Sequence, residues 1–257
     1  MGVRRLDLYL QHDRPVGPVE LERYRDAVRR RLRREPLQYI LGTVSFRHLE
    51  LMVDARVLIP RPETEVLVGA VLDWTAERER DGRAFTTVVD IGTGSGAIAL
   101  SLAAEGGFER VVATDVSQDA LTVAAENAAR CGLADRVEFR LGSLFETVLP
   151  DERFGVVVSN PPYVAEADRH TLAEEVREHE PGLALFAGAG GLDVVQELIA
   201  SAPAWLEAGG LLALEIGLGQ ADRVLELVRR RREFAGERIV QDLTGRPRFL
   251  LAERVTN

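Results

Sequence analysis

From about residue 85 onward, short apolar runs alternate with helical patterns, and this restricts the fold more than anything else in the 257 residues. The spacing predicts strands over 86–90, 110–115, 136–141, 154–159, 211–216, 237–242 and 248–253. It predicts helices over 95–104, 118–131, about 168–178, 191–206 and 219–232. Parallel neighbours in a sheet need long crossovers, and helices commonly supply them. The expected fold class is therefore α/β: a doubly wound, mostly parallel seven-stranded sheet with helices on both faces. The last connection is short, Thr244-Gly245-Arg246-Pro247, so the final strand is expected to run antiparallel.

The N-terminal part reads differently. Leu21, Tyr24, Val28 and Leu32 form one apolar stripe on a helix over 19–34, which Pro36 stops. Residues 43–53 alternate around a polar Arg47-His48 and predict a β-hairpin. Pro60-Arg61-Pro62 is a rigid loop. A helix then opens at Thr64 and Glu65 and runs to about Trp74, with Glu63 and Glu65 as helix-start acids.

Two strand ends carry the chemistry. The first is Asp90-Ile91-Gly92-Thr93-Gly94-Ser95-Gly96. Its glycines allow a tight strand-to-helix turn and a close ligand approach. Its spacing is G-x-G-x-G, not the G-x-G-x-x-G of dinucleotide folds. Asp90 stands where a carboxylate would face a cationic donor, by contact or through water. Asp115 ends the next strand, where a carboxylate can accept both ribose hydroxyls, while Ser117 suits the helix N-cap better. Ser143 can offer a hydrogen bond near an adenine, and Leu144 or Phe145 an apolar wall. These features point to S-adenosylmethionine, leaving S-adenosylhomocysteine as product.

The second strand end is Asn160-Pro161-Pro162-Tyr163, after the apolar Val156-Val157-Val158-Ser159. An amide or exocyclic amine nitrogen is a poor nucleophile, so it must be held in line with the methyl group. The Asn160 oxygen can accept one N–H. The Pro161 carbonyl can accept the other, aimed by a Pro161-Pro162 pair with fixed φ. Tyr163 offers a flat face for packing against the planar group. No metal enters this reading: His12, His48, His170 and His179 lack metal-site spacing and are read as surface or packing residues.

Composition narrows the possibilities further. All 32 basic residues are arginine, which excludes a P-loop lysine and a Schiff-base lysine. Net charge is −9 and the sequence pI about 5.1, unlike a protein built to grip bare nucleic acid. A cluster at Arg29, Arg30, Arg31, Arg33 and Arg34 is either a solvated helix face or a contact for an RNA-rich or acidic partner. Cys131 is the single cysteine and reads as a packing residue; a chain without possible intrachain disulfides fits the cytoplasm. No apolar run reaches the ~20 residues of a membrane span.

Taken together the residues resemble the release-factor glutamine methyltransferases, a family of class I S-adenosylmethionine-dependent, Rossmann-like methyltransferases. The resemblance rests on Pro36 to Gly42, Leu58 to Glu65, Asp90 to Gly96, Asn160 to Tyr163 and Glu180-Pro181 with Leu183-Ala184-Leu185. It continues in Glu215-Ile216-Gly217 with Gln220 and in Asp242-Leu243 with Gly245-Arg246. It implies methylation of the glutamine side-chain amide in the Gly-Gly-Gln loop of bacterial release factors. It also implies a shortened helical N-terminal docking domain over 1–42, a hairpin linker over 43–60 and a catalytic domain over 61–257. Cofactor would be bound by Asp90, Gly92, Thr93, Gly94, Ser95, Gly96, Asp115, Ser143, Leu144 and Asn160. Asn160, Pro161, Pro162 and Tyr163 would hold the substrate. The enzyme is read as a monomer with no nucleic-acid target and no membrane. The rivals are an adenine-N6 nucleic-acid methyltransferase, a ribosomal-protein glutamine methyltransferase and a catalytically silent docking module.

Overall fold

The computed structural model describes residues 5–10 and 13–256. Helix α1 (Arg5–Leu10) and helix α2 (Pro18–Leu32) come first, then a short α3 (Leu37–Leu41). Strands β1 (Thr43–Phe46) and β2 (Leu49–Met52) form the expected hairpin. Helix α4 (Pro62–Arg80) follows, with Pro62 in its first turn and Glu63 and Glu65 beside its positive end. It runs beyond Trp74 because a change to polar residues is no stop signal; the helix ends at Arg80, capped by Asp81 before Gly82 at φ 81°.

Next come β3 (Thr87–Ile91), α5 (Ala97–Glu105), β4 (Arg110–Asp115), α6 (Gln118–Arg130), β5 (Val137–Leu141) and β6 (Phe154–Ser159). The chain ends with α7 (Glu174–His179), α8 (Asp193–Ser201), β7 (Leu206–Glu215), α9 (Ala221–Arg229), β8 (Phe234–Gln241) and β9 (Pro247–Arg254). The large sheet has the order β5-β4-β3-β6-β7-β9-β8. Pairs from β5 to β7 are parallel, and β9 is antiparallel to both β7 and β8.

Period-2 alternation sorts the central strands into two cores. Val88, Val156, Val158, Leu211 and Ala213 face α4 and α5. Val89, Val157, Leu212 and Leu214 face α8 and α9. With both faces covered, β3, β6 and β7 read as continuous apolar runs, which is why sequence located them well. The differences have local causes. Strand β7 starts at Leu206, earlier than expected, and shifts register near Gly209 at φ 70°. Helix α8 stops at Ser201 because Pro203 follows, and a 3-10 turn closes it. The helix expected over 168–178 divides into a 3-10 turn over Glu166–Thr171 and α7.

Helix α2 forms where its stripe predicts, yet it buries no residue: Tyr24 is 67% exposed and Leu32 78%. The arginine cluster beside it is largely paired within the chain. Arg29 meets Glu22 and Asp26, Arg30 meets Glu35, Arg31 meets Glu175, and Arg34 meets Glu174. His48 and His170 are exposed, and half-buried His179 bonds the Arg33 carbonyl; His12 lies outside the described residues. Among the described residues no helix is long and apolar enough to cross a membrane.

Candidate active site

The order of the sheet fixes where the site lies. From β3 the chain steps outward through β4 to β5, then returns to place β6 on the other side of β3. Loops leaving β3 and β6 therefore diverge, and such a switch point opens a crevice at the carboxyl ends. Ile91 and Ser159 are register partners, and the Ser159 hydroxyl donates to the Ile91 carbonyl at 2.6 Å. Gly92 and Asn160 follow them directly, so the two motifs start one strand spacing apart, about 5 Å.

A cavity of about 370 Å³ fills the crevice. Its lining includes Gly92, Thr93, Gly94, Ser95, Asp115, Ser143, Leu144, Asn160, Pro161 and Pro162. That volume lies in the range of small-molecule pockets. A Cβ on Gly92 or Gly94 would meet nothing within 4 Å, so the space beside them is open for a ligand. Both sit at positive φ, 72° and 57°, as does Gly96 at 83°. Gly96 serves packing instead, because a Cβ there would press on Leu100 and Ala124.

Asp115 accepts from the Gly94 N–H and the Ser117 N–H, each at 2.9 Å. Ser117 caps α6 through the Ala120 N–H, leaving Asp115 to face the cavity. Burial pushes the Asp115 carboxyl upward, while these N–H donors pull it down. Leu144, at φ 48°, supplies the apolar wall; Phe145 turns away and stacks on Trp205 with centroids 5.9 Å apart.

Asp90 is placed differently from the expectation. It is fully buried and does not line the cavity. Its Oδ2 accepts from the Thr93 hydroxyl at 2.7 Å and the Ala99 N–H at 3.2 Å, tying the loop to α5. Its Oδ1 has no partner, and burial raises its pKa from 3.8 to about 7. The folded state thus holds this proton in a pH range where the unfolded chain has lost it. The contribution of Asp90 to stability is fully present below pH 3.8 and is lost as pH climbs through about 7. Asp90→Asn removes the titration. Between pH 5 and pH 8, denaturant unfolding should shift in the variant's favour by roughly 2–3 kcal/mol relative to the parent; parallel pH profiles would contradict this.

Asn160 directs its Nδ2 to the Thr64 hydroxyl at 3.3 Å, and its buried Oδ1 has no partner. Tyr163 does not line the cavity. Its hydroxyl donates to Glu215 at 3.3 Å and accepts from Arg248 at 2.9 Å. The loop itself is clamped: the Gln220 amide donates to the Tyr163 and Gly191 carbonyls and accepts from the Gly217 N–H. Gly191 sits at φ 65°, and a Cβ there would come within 2.4 Å of the Tyr163 carbonyl. Gly191→Ala should cost about 3 kcal/mol, seen as a lower denaturant midpoint.

Two further contacts hold the hairpin and the segment after it against the main domain. Buried Glu180 accepts from the Ile59 N–H and from Arg61. Asn127 pairs with both backbone groups of Met52 and donates to the Ser95 carbonyl, joining the hairpin to the glycine loop.

The comparisons with known proteins agree with this architecture. Residues 88–180 match the family described as methyltransferase domain, and residues 1–42 that described as PrmC N-terminal domain. The release factor glutamine methyltransferase of Geobacter sulfurreducens is 45% identical over 230 residues, covering 90% of this chain and 78% of its own. That of Deinococcus radiodurans is 42% identical over 254 residues, covering 99% and 87%. The chain belongs to the release factor glutamine methyltransferase family. Among solved structures, the N-terminal domain of human METTL16 in complex with SAH aligns with a TM-score of 0.60 at 18% identity. The alignment covers 86% of this chain and 82% of that one, and it shows the shared fold alone.

In this release factor glutamine methyltransferase family member, the structure brings to the site two residues to which the sequence reading gave no chemical role. Thr64 lines the cavity and bonds Asn160, whereas the sequence places it in the Leu58 to Glu65 motif and reads it as a helix opener. Glu215 is buried at the end of β7 and contacts Thr64, Tyr163 and Arg248. The sequence places Glu215 in the Glu215-Ile216-Gly217 motif without a role; a carboxylate ending an otherwise apolar strand is the signal that could have supplied one.

Proposed function

We propose that this chain transfers a methyl group from S-adenosylmethionine to the side-chain amide nitrogen of the glutamine in the Gly-Gly-Gln loop of peptide-chain release factors. The observation that carries the reading is the unpartnered, buried Asn160 Oδ1 beside a cavity bounded by the glycine loop and Asp115. A buried acceptor without a partner is costly, and a substrate N–H would satisfy it. The names of the relatives supply the substrate.

The residues present fit the cofactor. Asp115 would accept the ribose hydroxyls, Leu144 and Ser143 would meet the adenine, and the open face of Gly92 to Gly94 would admit the chain carrying the sulfonium. When bound, the cofactor supplies an electrophilic methyl group. Asn160 Oδ1 accepts one amide hydrogen and the Pro161 carbonyl the other, turning the nitrogen toward that methyl. Apolar Pro161 and Pro162 limit water around the nitrogen. No side chain here need act as a strong base, since the proton can leave to solvent after transfer.

In this reading residues 1–42 with their exposed α2 stripe dock the factor, the hairpin links them to the main domain, and the enzyme works as a cytoplasmic monomer. The reading is tested by offering labelled S-adenosylmethionine with a release factor or with an adenine-containing oligonucleotide. Label is expected in the factor alone; label in the oligonucleotide alone would favour the adenine-N6 rival.

A further inference from the structure

We propose that Thr64 and Glu215 form a positioning relay that fixes which way round the Asn160 amide sits. This rests on the reading of Asn160 as the acceptor that faces substrate. The two ends of an Asn amide have nearly the same shape, so hydrogen bonds decide the orientation. Only one orientation presents an oxygen to a substrate N–H; the other presents an N–H to an N–H.

With Glu215 as the carboxylate, the chain of bonds leaves one choice. Glu215 is 0% exposed, and its Oε1 accepts from Arg248 at 2.9 Å and from the Tyr163 hydroxyl at 3.3 Å. Its Oε2 accepts from the Thr64 hydroxyl at 2.6 Å. A threonine hydroxyl has one proton, and the carboxylate takes it. What remains on Thr64 Oγ1 is lone pairs, which accept only a donor, and Asn160 Nδ2 lies 3.3 Å away. Reversing the amide would set two oxygens against each other inside the protein. Burial pushes the Glu215 carboxyl up, while the Thr64 hydroxyl and the Arg248 guanidinium favour its charged form; in that form Glu215 orients Thr64, and Thr64 orients Asn160. Thr64 and Glu215 sit on α4 and β7, with Thr64 96 positions from Asn160 and 151 from Glu215 along the chain.

Thr64→Val keeps the side-chain shape and removes the hydroxyl. Its kcat for release-factor methylation should fall about 10²-fold, the scale of a misplaced reacting group. The dissociation constant for S-adenosylmethionine should stay within about twofold, separating orientation from binding. Thr64→Ser, which retains the hydroxyl, should recover most of the lost kcat. Full activity in Thr64→Val, or equal losses in the Val and Ser variants, would overturn the relay. If Thr64→Val is too unstable to assay, Glu215→Gln takes its place. A Gln amide can donate to Thr64, freeing the Thr64 proton for Asn160 and reversing the amide. The same loss of kcat at unchanged cofactor affinity is expected, and parental kcat would contradict the relay.

A spectrum of the protein alone keeps the relay apart from the substrate reading. The Asn160 side-chain NH2 signal, assigned by its absence in Asn160→Ala, should move in Thr64→Val and stay near its place in Thr64→Ser. An unmoved signal in Thr64→Val overturns the relay. A parent that labels no factor would instead sink the substrate reading, and the spectrum would still decide the relay.

Discussion

Asn160→Ala should lower kcat for glutamine methylation by about 10²–10³-fold, the usual effect of removing one preorganised hydrogen-bonding group from a reaction centre. The nitrogen to be methylated is a weak nucleophile, so its orientation carries much of the rate. Orientation of this kind can supply roughly 7–11 kcal/mol at best, divided under this proposal between the Asn160 oxygen and the Pro161 carbonyl. The same variant should bind S-adenosylmethionine nearly as well as the parent, because the Asn160 side chain bonds Thr64 and its buried, unpartnered Oδ1 is reserved in this proposal for the substrate amide. Single-turnover rates beside calorimetric titration separate the two effects. Parental turnover in Asn160→Ala would remove the proposed role of Oδ1.

Asp115→Ala should show the opposite pattern. Its carboxylate has two tasks: it ties the Gly94 N–H and Ser117 N–H, and it offers acceptor capacity to the cavity. Hydrogen bonds to a charged group are worth about 1.5–3 kcal/mol each, so losing a ribose diol clamp should weaken cofactor binding about 10²–10³-fold. Loosening Gly94 adds to the loss. At saturating cofactor the rate should recover toward that of the parent, since nothing in the nitrogen's cradle has changed. Unaltered cofactor affinity in Asp115→Ala would mean that the ribose lies elsewhere.

Much of the fold could be read from the residues because the central strands are buried on both faces. Val88-Val89, Val156-Val157-Val158 and Leu211-Leu212-Ala213-Leu214 have no polar alternative to confuse the pattern. Element ends were less legible, since α4 continues through exposed Glu and Arg residues that suit a helix without being buried. The stripe on α2 predicted a helix correctly but not its exposure; periodicity marks a helix without saying what covers it.

The strand-end motifs could be read because small residues and prolines leave a strong local signature. Side-chain direction could not. Asp90 adjoins the glycine loop in sequence, yet its carboxylate turns inward to Thr93 and Ala99. Phe145 neighbours Leu144 but packs on Trp205, because Leu144 at φ 48° turns the chain. Tyr163 belongs to the sequence motif but contributes its hydroxyl to Glu215 and Arg248. The Thr64–Glu215 contact joins residues 151 positions apart, and no local pattern encodes such a pairing.

The most direct measurement is methyl transfer from labelled S-adenosylmethionine to an unmethylated release factor, run beside the same factor with its Gly-Gly-Gln glutamine changed to alanine. Peptide mass spectrometry then locates the modified residue. The account predicts one methyl group on that glutamine and none on the alanine version. Equal labelling of both factors, or a methyl group on any other residue, would contradict it.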